Sequence, residues 1–444
     1  MVGFLKTEFH KKQLGLFNMD IKQAIDKSLF IFGAGASYDA GCKMSGDMLK
    51  ALTEIICLNQ EDPFTEIERE TIKFLLTCLN YHSEWKTWEV NREYSLQPNI
   101  EELALLIRRI KNRDNFLPYP VTGNWADKLL RLEAQFKEQN KFGLYHKIED
   151  TIKNKLIPQW LEVKQTDFLK PLDDFFQRNT DKRITFDIFS MNYDKVIEQH
   201  FSEQKAKPYR GFYSGEWRGF NVSDSIDEFN IINLYKLHGS LDWTRLIDGT
   251  VLEKSDIDEY YEDIEGENRI EHDPVIIFGH GTKFFSVEPF FSLIQNFSNK
   301  LKERNYFFII GYSFFDPYIN NLLIQAVKDG GYKNKKIIIV NPSFAFNPPL
   351  KVDHFIDHDL YGCHLNENNS EAKKILTNYI EDIQRNAFYS ELPEFNIKQV
   401  PSEALYYLRM GTKEFFNRFF NNSGEAFLKL IEDFESQGEK SLPF

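Results

Sequence analysis

Short apolar runs alternate with amphipathic segments along much of the chain, and this alternation predicts strands separated by helices. Runs rich in β-branched and aromatic residues indicate strands that are buried on both faces. Segments with apolar residues at helical spacing indicate helices with one buried face. A parallel sheet with right-handed helical crossovers accounts for this order. The predicted strands are residues 29–32, 183–190, 231–237, 274–278, 306–310 and 336–340.

Two regions have helical spacing and almost no strand character. We interpret residues 61–180 as a helical insertion. Within it, Asn99 precedes an acidic first turn and is predicted to be a plain N-cap, with contact to a ligand as the alternative. Residues 386–444 predict a C-terminal helical segment that packs on the main domain or on another subunit, and residues 1–20 predict an amphipathic N-terminal extension.

The composition argues against several classes of protein. The chain has 444 residues, which suggests more than one folding unit. A net charge of −13 argues against a broad basic surface for nucleic acid. We find no apolar run long enough to cross a membrane and no signal peptide. The four cysteines form no CxxC pair, which is typical of a reducing cytoplasm and of a protein without a structural zinc ribbon.

Glycine and polar residues follow the predicted strands at the point where each strand ends. The carboxyl ends of parallel strands meet at one edge of a sheet, and ligands of open α/β sheets bind there. We therefore expect one site built from several strand ends. Its candidate segments are residues 33–37, 192–194, 238–239, 311–313 and 341.

The segment after the first predicted strand carries Gly33, Gly35 and Ser37. A glycine-rich turn between a strand and a helix lets the backbone approach a pyrophosphate, and the helix N-terminus adds N–H groups and a partial positive charge. The third glycine of the usual dinucleotide fingerprint falls at Tyr38, so the match is incomplete. A tight strand-to-helix turn without a ligand is the alternative interpretation.

Asn192, Asp194 and His238 are the polar residues at the strand ends whose chemistry best suits a substrate. A histidine can act as a base near neutral pH, an Asn amide can fix a water or a sugar hydroxyl, and an Asp can accept a hydrogen bond from a carboxamide. With a phosphate-binding turn, these groups suit a nucleotide that is attacked at the anomeric carbon of its sugar, such as NAD, which loses nicotinamide as a neutral pyridine. A core or capping histidine is the alternative for His238.

Four potential metal ligands lie close together in the sequence, namely His354, His358, Cys363 and His364. Their spacing superficially suggests a metal site. No second cluster with ligand spacing accompanies them, as a structural zinc site would require. We therefore expect no metal site in this protein.

The ordered motifs resemble the sirtuin-like family, specifically its bacterial, defence-associated branch. The resemblance covers about residues 25–345, and the motifs occur in the family's order. They are Gly33-Ala34-Gly35-Ala36-Ser37, Met191-Asn192-Tyr193-Asp194, His238-Gly239-Ser240, Gly311-Tyr312-Ser313-Phe314 with Asp316 and Asn320, and Val340-Asn341.

The resemblance implies a Rossmann-like NAD domain formed by residues 21–60 and 181–385, with residues 61–180 as a large helical insertion. NAD would be the substrate of this domain. Asn192 and Asp194 would lie at the nicotinamide ribose pocket, and His238 would be the catalytic base. The implied NAD-binding residues are Gly33, Ala34, Gly35, Ser37, Gly311, Ser313 and Asn341.

Two departures from protein-deacylating sirtuins change the expected reaction. The zinc ribbon with two CxxC pairs is missing, so no zinc is expected, and residues 43–49 replace the Asp-Phe-Arg segment of those enzymes. Both departures argue against a pocket for an acyl-lysine peptide and leave water as the acceptor. The resemblance thus implies a cytoplasmic NAD glycohydrolase that releases nicotinamide and ADP-ribose and depletes cellular NAD during phage infection.

The resemblance also implies partners, because members of this branch form large oligomers or act with another protein. We expect a homo-oligomer, or a complex with a HerA-type ATPase or another product of a defence operon, without direct contact with nucleic acid or membrane. Two alternative functions stay open. One is an NAD-dependent protein deacylase or ADP-ribosyltransferase, and the other is a nucleotide-binding scaffold that regulates a partner ATPase.

Overall fold

The computed structural model describes most of the chain. The described residues are 19–58, 63–89, 98–112, 119–123, 125–137, 143–202, 208–220, 231–254, 270–272, 274–278, 287–314, 316–331, 334–342, 404–408 and 410–440. The predictions for residues 1–18 and for His354, His358, Cys363 and His364 lie outside these ranges.

Strands and helices alternate in the described ranges. The strands are β1 (Ser28–Phe32), β2 (Thr185–Ser190), β3 (Phe212–Tyr213), β4 (Glu216–Trp217), β5 (Ile231–Lys236), β6 (Gly239–Ser240), β7 (Trp243–Leu246), β8 (Val251–Glu253), β9 (Ile270–His272), β10 (Val275–Ile276), β11 (Tyr306–Ile310), β12 (Lys336–Val340) and β13 (Leu405–Leu408). The α-helices are α1 (Ile21–Asp26), α2 (Ser45–Leu58), α3 (Glu66–Glu89), α4 (Ile100–Asn112), α5 (Tyr119–Thr122), α6 (Ala126–Lys137), α7 (Leu144–Thr151), α8 (Ile157–Trp160), α9 (Lys170–Arg178), α10 (Val196–Phe201), α11 (Phe290–Glu303), α12 (Pro317–Gly330), α13 (Thr412–Phe419) and α14 (Glu425–Lys440).

Six of the strands form one parallel sheet, in the order β13-β12-β11-β1-β2-β5. Counted along the chain, this order is the 3-2-1-4-5-6 arrangement of a doubly wound Rossmann sheet. The order reverses between β1 and β11. The strands β1, β11 and β12 are buried along their whole length, as their continuous apolar runs predict. The predicted α/β fold with a Rossmann-like parallel sheet is therefore confirmed.

Phenylalanines cover one face of this sheet. Phe30 lies beside Phe186 and Phe308 on the neighbouring strands, with ring centroids 5.1 and 5.5 Å apart. Phe420 and Phe427, from the C-terminal segment, pack on this row with centroids 5.6 Å from Phe186 and 5.2 Å from Phe308. The C-terminal segment is thus part of the core beneath the sheet.

The C-terminal segment, predicted to be helical, also contributes a strand. Leu405–Leu408 pairs in parallel with β12 and extends the sheet by one strand. The expected helices follow it as α13 and α14. A strand of four residues carries too little periodicity to be distinguished from the helical spacing around it.

The prediction of a strand in the parallel sheet at residues 274–278 is wrong. Only Val275–Ile276 is a strand, and it pairs antiparallel with β6, outside the six-stranded sheet. The flanking Ile277 and Phe278 are nevertheless buried. A short apolar run indicates burial but does not identify the strand with which it pairs.

The predicted N-cap of α4 is confirmed. Asn99 Oδ1 accepts hydrogen bonds from the backbone N–H groups of Glu101 and Glu102, at 2.9 and 3.1 Å. The Oε2 atom of Glu102 accepts a hydrogen bond from the backbone N–H of Asn99 at 2.8 Å, which completes a reciprocal capping box. Glu102 is buried, so this hydrogen bond is made away from the surface.

Replacing Phe427 by Ala should lower the free energy of unfolding by about 3–5 kcal/mol, because the ring is fully buried against the sheet. Urea unfolding of the full chain measures this loss. Phe291→Ala is the matched control, since Phe291 is 48% exposed on α11 and should cost little. Equal stability of the two variants would mean that the C-terminal segment is not part of the core.

Replacing Glu102 by Gln should make stability less dependent on pH. Burial raises the pKa of Glu102 to about 8, against about 4.3 in an unfolded chain. The protonated carboxyl therefore contributes stability that is full below about pH 4 and is lost as the pH rises through about 8. Gln keeps the acceptor for the Asn99 N–H and never ionises.

We therefore compare the difference in free energy of unfolding between Glu102→Gln and the unmodified protein at two pH values. This difference should shift in favour of the variant by more than about 1 kcal/mol between pH 5 and pH 8.5. Chemical unfolding at both pH values measures this difference. Glu84→Gln, at an exposed position on α3, serves as the control. A difference that stays constant with pH would show that Glu102 is ionised in the folded protein throughout.

Candidate functional site

The candidate residues lie in loops that leave the carboxyl edge of the parallel sheet at one level. Phe32 lies opposite Ser190 on one side and opposite Ile310 on the other. Ser190 lies opposite Lys236, and Ile310 lies opposite Val340. The loops after these five residues carry Gly33, Ala34, Gly35, Ser37, Asn192, Asp194, His238, Gly311, Ser313 and Asn341.

The glycine turn contacts the loop after β11 at the point where the strand order reverses. The N–H of Gly35 donates to the carbonyl oxygen of Gly311 at 2.8 Å. Gly311 has a φ of +62°, and a Cβ there would overlap the backbone N of Ala36. A Cβ on Gly33 would lie 2.5 Å from Cα of Tyr312. Because only glycine avoids these clashes, backbone packs on backbone at the place where Rossmann folds bind dinucleotides.

The turn leads into a 3₁₀ helix, Ala34–Ala40, and not directly into an α-helix. Gly41, with a φ of +89°, ends this segment, and α2 begins only at Ser45. The backbone N–H groups at positions 35 and 36 already donate to carbonyl oxygens. In this conformation the turn offers a phosphate fewer N–H groups than the sequence motif predicts.

Asn192 is held by the glycine turn. Its Nδ2 donates to the carbonyl oxygen of Gly33 at 2.8 Å and lies 3.0 Å from Oγ of Ser37. Asn192 and Ser37 are both buried, so the Ser37 hydroxyl contacts Asn192 in this structure. The Oδ1 atom of Asn192 accepts no hydrogen bond from the part of the chain that the structure describes. The amide is thus oriented by its NH₂ group, and its oxygen is available to a water or a hydroxyl.

A narrow cavity of about 10 Å³ lies beside Asn192. Its walls include Ser37, Asp194, Lys236 and the apolar side chain of Phe168. A cavity needs about 10–15 Å³ to hold one water, whereas ligand pockets range from about 300 to 1,000 Å³. In this conformation the cavity is no larger than one water molecule, and a dinucleotide would have to lie along the edge of the sheet.

The carboxylate of Asp194 caps helix α10. Its Oδ1 accepts a hydrogen bond from the backbone N–H of Val196 at 3.1 Å, and its carbonyl oxygen accepts one from Nζ of Lys236. Lys236 is 2% exposed, and its Nζ lies 3.4 Å from Oε1 of Glu198. The structure thus places Asp194 in the same loop as Asn192 and gives its carboxylate a capping role.

A buried group of charges supports this side of the edge. The Arg210 guanidinium lies 2.9 Å from Asp242, 3.2 Å from Glu198 and 2.6 Å from Glu253. Burial by itself would raise the pKa of Asp242, but Arg210 and the other groups around the carboxylate together outweigh burial, and the pKa is lowered. Glu198 also contacts Lys236, so this network is continuous with the lysine that holds the loop of Asp194.

His238 pairs with Asp316, which follows β11. The two side chains meet through Nε2 of His238 and Oδ2 of Asp316 at 3.0 Å, and both are largely buried. The backbone of His238 is held by Ile277, whose N–H donates to the His238 carbonyl at 2.8 Å. Gly239 has a φ of +84°, and a Cβ there would overlap Val275, so this approach requires glycine.

Asp316 belongs to one of the motifs that resemble the sirtuin-like family, but its sequence context predicts no role for it at the site. The available signal was an acid a few residues after a strand end, immediately before Pro317 at a helix start. That pattern predicts a helix cap and cannot show which histidine lies against it.

Ser313 and Asn341, two further candidates, lie farther along the edge. Ser313 is exposed, and Asn341 is half-buried with its N–H donating to Leu408 at 3.1 Å.

The helical insertion contacts the site through Tyr193. The Tyr193 hydroxyl lies 2.9 Å from Oε1 of Glu101, on α4, and 2.5 Å from the carbonyl oxygen of Ile277. Burial, together with the nearby Glu101 carboxylate, raises the pKa of Tyr193 well above its usual value, so the phenol stays protonated. Because Tyr193 lies between Asn192 and Asp194, this contact ties their loop to the insertion, which sequence analysis did not predict.

The C-terminal segment contacts the glycine turn directly. The Thr412 hydroxyl lies 3.4 Å from the carbonyl oxygen of Gly35, and the backbone N–H of Lys413 donates to Oδ2 of Asp39 at 3.1 Å. Thr412 and Lys413 are the first two residues of α13. The conformation of the turn therefore depends on a segment far from it in the sequence.

Within the described ranges, no three His, Cys, Asp or Glu side chains are grouped so that they could hold a metal ion. The cluster at residues 354–364 lies outside those ranges. In the same part of the chain, no helix combines the length and apolar character needed to span a bilayer.

Comparison with known proteins finds a family similarity over part of the chain. A family model described as a SIR2-like domain matches residues 187–356, a stretch that begins after the glycine turn and holds Asn192, His238 and Asp316. No curated protein sequence matches the chain.

Several solved sirtuin structures are similar to the chain at low identity. One, described as the structural basis for sirtuin substrate affinity, is 12% identical with a TM-score of 0.35 and covers 92% of this chain and 95% of its own. A Sir2 complex with a p53 peptide and NAD⁺ is 11% identical, with a TM-score of 0.33 and the same coverage. A Sir2 complex with EX-527, 2'-O-acetyl-ADP-ribose and deacetylated p53 peptide is 10% identical, with a TM-score of 0.35, and covers 92% and 96%.

Replacing Gly311 by Ala should separate the two loops at the reversal of the strand order, because the new Cβ would overlap the glycine turn and the φ of +62° is strained for Ala. We expect a loss of about 1–3 kcal/mol in the free energy of unfolding, measured by urea unfolding, and at least a tenfold weaker affinity for NAD, measured by calorimetry. Gly46→Ala is the control, since a Cβ there meets nothing within 4 Å. Unchanged NAD affinity in Gly311→Ala would show that the contact between the two glycine loops does not contribute to NAD binding.

Proposed function

We propose that this protein binds NAD at the carboxyl edge of its sheet and hydrolyses the bond between nicotinamide and ribose. The observation that carries the proposal is that Asn192 bonds Gly33 and His238 bonds Asp316, all on loops that leave the carboxyl edge of the same sheet. The SIR2-like match over residues 187–356 supports NAD as the substrate. The products would be nicotinamide and ADP-ribose.

The order of the strands supports one direction for the bound dinucleotide. The glycine turn after β1 stands in the middle and would hold the pyrophosphate. Ser313 and Asn341 follow β11 and β12 on one side, which suits the adenosine end. Asn192 and His238 follow β2 and β5 on the other side, which suits the nicotinamide riboside. The narrow cavity beside Asn192, which has room for about one water, lies on this second side.

The residues on that side match the needs of N-glycosidic cleavage. Nicotinamide leaves as a neutral pyridine, so its departure needs no strong general acid, and the sugar passes through a state with oxocarbenium character. The Oδ1 atom of Asn192 can hold a water or a ribose hydroxyl, because its NH₂ group is fixed by Gly33 and Ser37. His238 would take the proton from the attacking water.

Water is the acceptor that the sequence favours. The chain has no CxxC pair for the zinc ribbon of protein-deacylating sirtuins, and residues 43–49 differ from their Asp-Phe-Arg segment. Activity as a deacylase or ADP-ribosyltransferase would instead require an added protein acceptor. Nicotinamide release without such an acceptor therefore distinguishes the two reactions.

We place this reaction in antiphage defence, as an effector that depletes cellular NAD. The support is the resemblance of the ordered motifs to the defence-associated branch, together with the absence of CxxC pairs. On the same basis we propose that the protein acts in the cytoplasm, as a homo-oligomer or with a HerA-type ATPase or another defence-operon partner.

Replacing His238 by Ala should lower nicotinamide release by about 100-fold or more, because the base that accepts the proton is lost. Asn192→Ala should lower it as well, since the nucleophile is then no longer held. Chromatography of NAD, nicotinamide and ADP-ribose measures both effects, with the full-length protein assayed alone and in lysates of phage-infected cells that express it. NAD affinity, measured by calorimetry, should change by less than about tenfold in His238→Ala.

His146→Ala is the matched control, because His146 is a half-exposed histidine on α7 that pairs with Asp150. It should release nicotinamide at the unmodified rate. Full turnover by His238→Ala would contradict the proposed role of that residue. No release by the unmodified protein in either setting, with protection against phage retained by His238→Ala, would favour the scaffold function.

A further inference from the structure

We infer that Asp316 is the positioning residue of His238, holding its ring with the proton on Nε2 so that Nδ1 is the atom that accepts a proton during hydrolysis. This inference rests on the proposed function and adds a residue and a specific nitrogen to it. It is carried by the contacts on both sides of the Asp316 carboxylate.

The two oxygens of Asp316 have different partners. Oδ1 accepts hydrogen bonds from the backbone N–H groups of Tyr318 and Ile319, at 2.9 and 3.2 Å, and so caps α12. Oδ2 lies 3.0 Å from Nε2 of His238. The N-terminus of a helix favours the ionised form of a capping acid. The cap thus both fixes the carboxylate in place and keeps its second oxygen directed at the histidine.

Tyr312 holds the backbone of Asp316 in place. Its hydroxyl accepts the backbone N–H of Asp316 at 3.1 Å and lies 3.0 Å from Oδ1 of Asn320. Burial and the Asp316 charge raise the pKa of Tyr312 well above its usual value, so the phenol keeps its proton for Asn320. Asn320 in turn donates to the carbonyl oxygen of Phe314 at 2.7 Å. These hydrogen bonds fix the loop around Asp316. Moving its carboxylate away from His238 would break several of them.

The acceptor chemistry of Asp316 determines the tautomer of His238. A carboxylate has no hydrogen to donate, so the nitrogen that bonds it must carry the proton. That nitrogen is Nε2. In the neutral ring Nδ1 then holds a lone pair, and among the described residues it has no hydrogen-bond partner. The structure therefore presents Nδ1 as the basic atom.

The step balances with this assignment. The bond between the anomeric carbon of ribose and the pyridinium nitrogen breaks, and its electron pair neutralises nicotinamide. The oxygen of water bonds to the anomeric carbon, and one proton of the water moves to Nδ1 of His238. The resulting imidazolium ion is stabilised by the carboxylate of Asp316. Release of that proton to solvent restores the neutral ring.

Asp316→Asn separates positioning from capping. Asn is as good an N-cap as Asp, so α12 should keep its start, while the negative charge opposite the histidine is lost. We expect kcat for nicotinamide release to fall at least tenfold, with KM for NAD changed less than about threefold. Asp20→Asn is the matched control, because Asp20 caps α1 in the same way, by accepting from Gln23 at 2.8 Å, away from the site.

A spectroscopic measurement tests the tautomer without any turnover. Full-length protein labelled with ¹⁵N-histidine reports which ring nitrogen carries the proton, and the His238 signal is assigned by its loss in His238→Gln. The unmodified protein and Asp20→Asn should show His238 protonated on Nε2, whereas Asp316→Asn should show a mixture of tautomers. Circular dichroism with urea unfolding confirms that Asp316→Asn is folded, and Asp316→Ser, which also retains a capping oxygen, is the second variant if it is not.

Protonation of Nδ1 in the unmodified protein, or an unchanged tautomer and kcat in Asp316→Asn and Asp316→Ser, would overturn the inference. The outcome for the proposed function is separate. If the unmodified protein releases no nicotinamide in any setting, hydrolysis is refuted, and the tautomer measurement still decides whether Asp316 positions His238.

Discussion

Backbone packing between the glycine turn and the loop after β11 is the constraint on which the rest of the site depends. Gly35 and Gly311 are joined by a hydrogen bond of 2.8 Å, and Gly311 adopts a φ of +62°. Any side chain at Gly311 would push the two loops apart. The loops belong to β1 and β11, between which the strand order reverses. The absence of side-chain atoms thus sets how closely the two halves of the sheet approach at their carboxyl edge.

The two polar groups proposed for chemistry are positioned from opposite sides of this contact. Asn192 bonds to the carbonyl oxygen of Gly33, so its amide follows the glycine turn. His238 bonds to Asp316, so its ring follows the loop after β11. Tyr312, in that same loop, packs against Gly33 and holds the backbone N–H of Asp316. A shift between the two loops would therefore change the distance between the amide and the imidazole.

Periodicity predicted the sheet well because its central strands are continuous apolar runs buried on both faces, such as Tyr306–Ile310. It failed where a segment was too short to show a period. The strand Leu405–Leu408 was hidden among helical residues, and the run at residues 274–278 was assigned to the wrong sheet. Local pattern gives the burial of such segments, whereas their partners depend on contacts distant in sequence.

The same limit applies to the site. The glycines and the polar residues at strand ends could be predicted, because the carboxyl ends of parallel strands meet at one edge. The hydroxyl of Tyr193 and the carboxylate of Asp316 could not be given roles, since each acts through a residue far from it in the sequence. Ser37 shows the same limit, because the motif that predicts its contact with phosphate gives no sign of its contact with Asn192.

The elements outside the Rossmann sheet hold the loops of its edge, which the sheet alone would leave unsupported. Tyr193 is bound by Glu101 of the helical insertion, and the carbonyl oxygen of Gly35 is contacted by Thr412 of the C-terminal segment. A phosphate-binding turn needs free N–H groups, yet two of those in the turn are occupied here. Since the C-terminal segment packs on the same turn, the free energy of binding at the edge must include the interactions that hold this segment in place. The insertion and the C-terminal segment are therefore energetically part of the site, although they contribute none of the groups proposed to react.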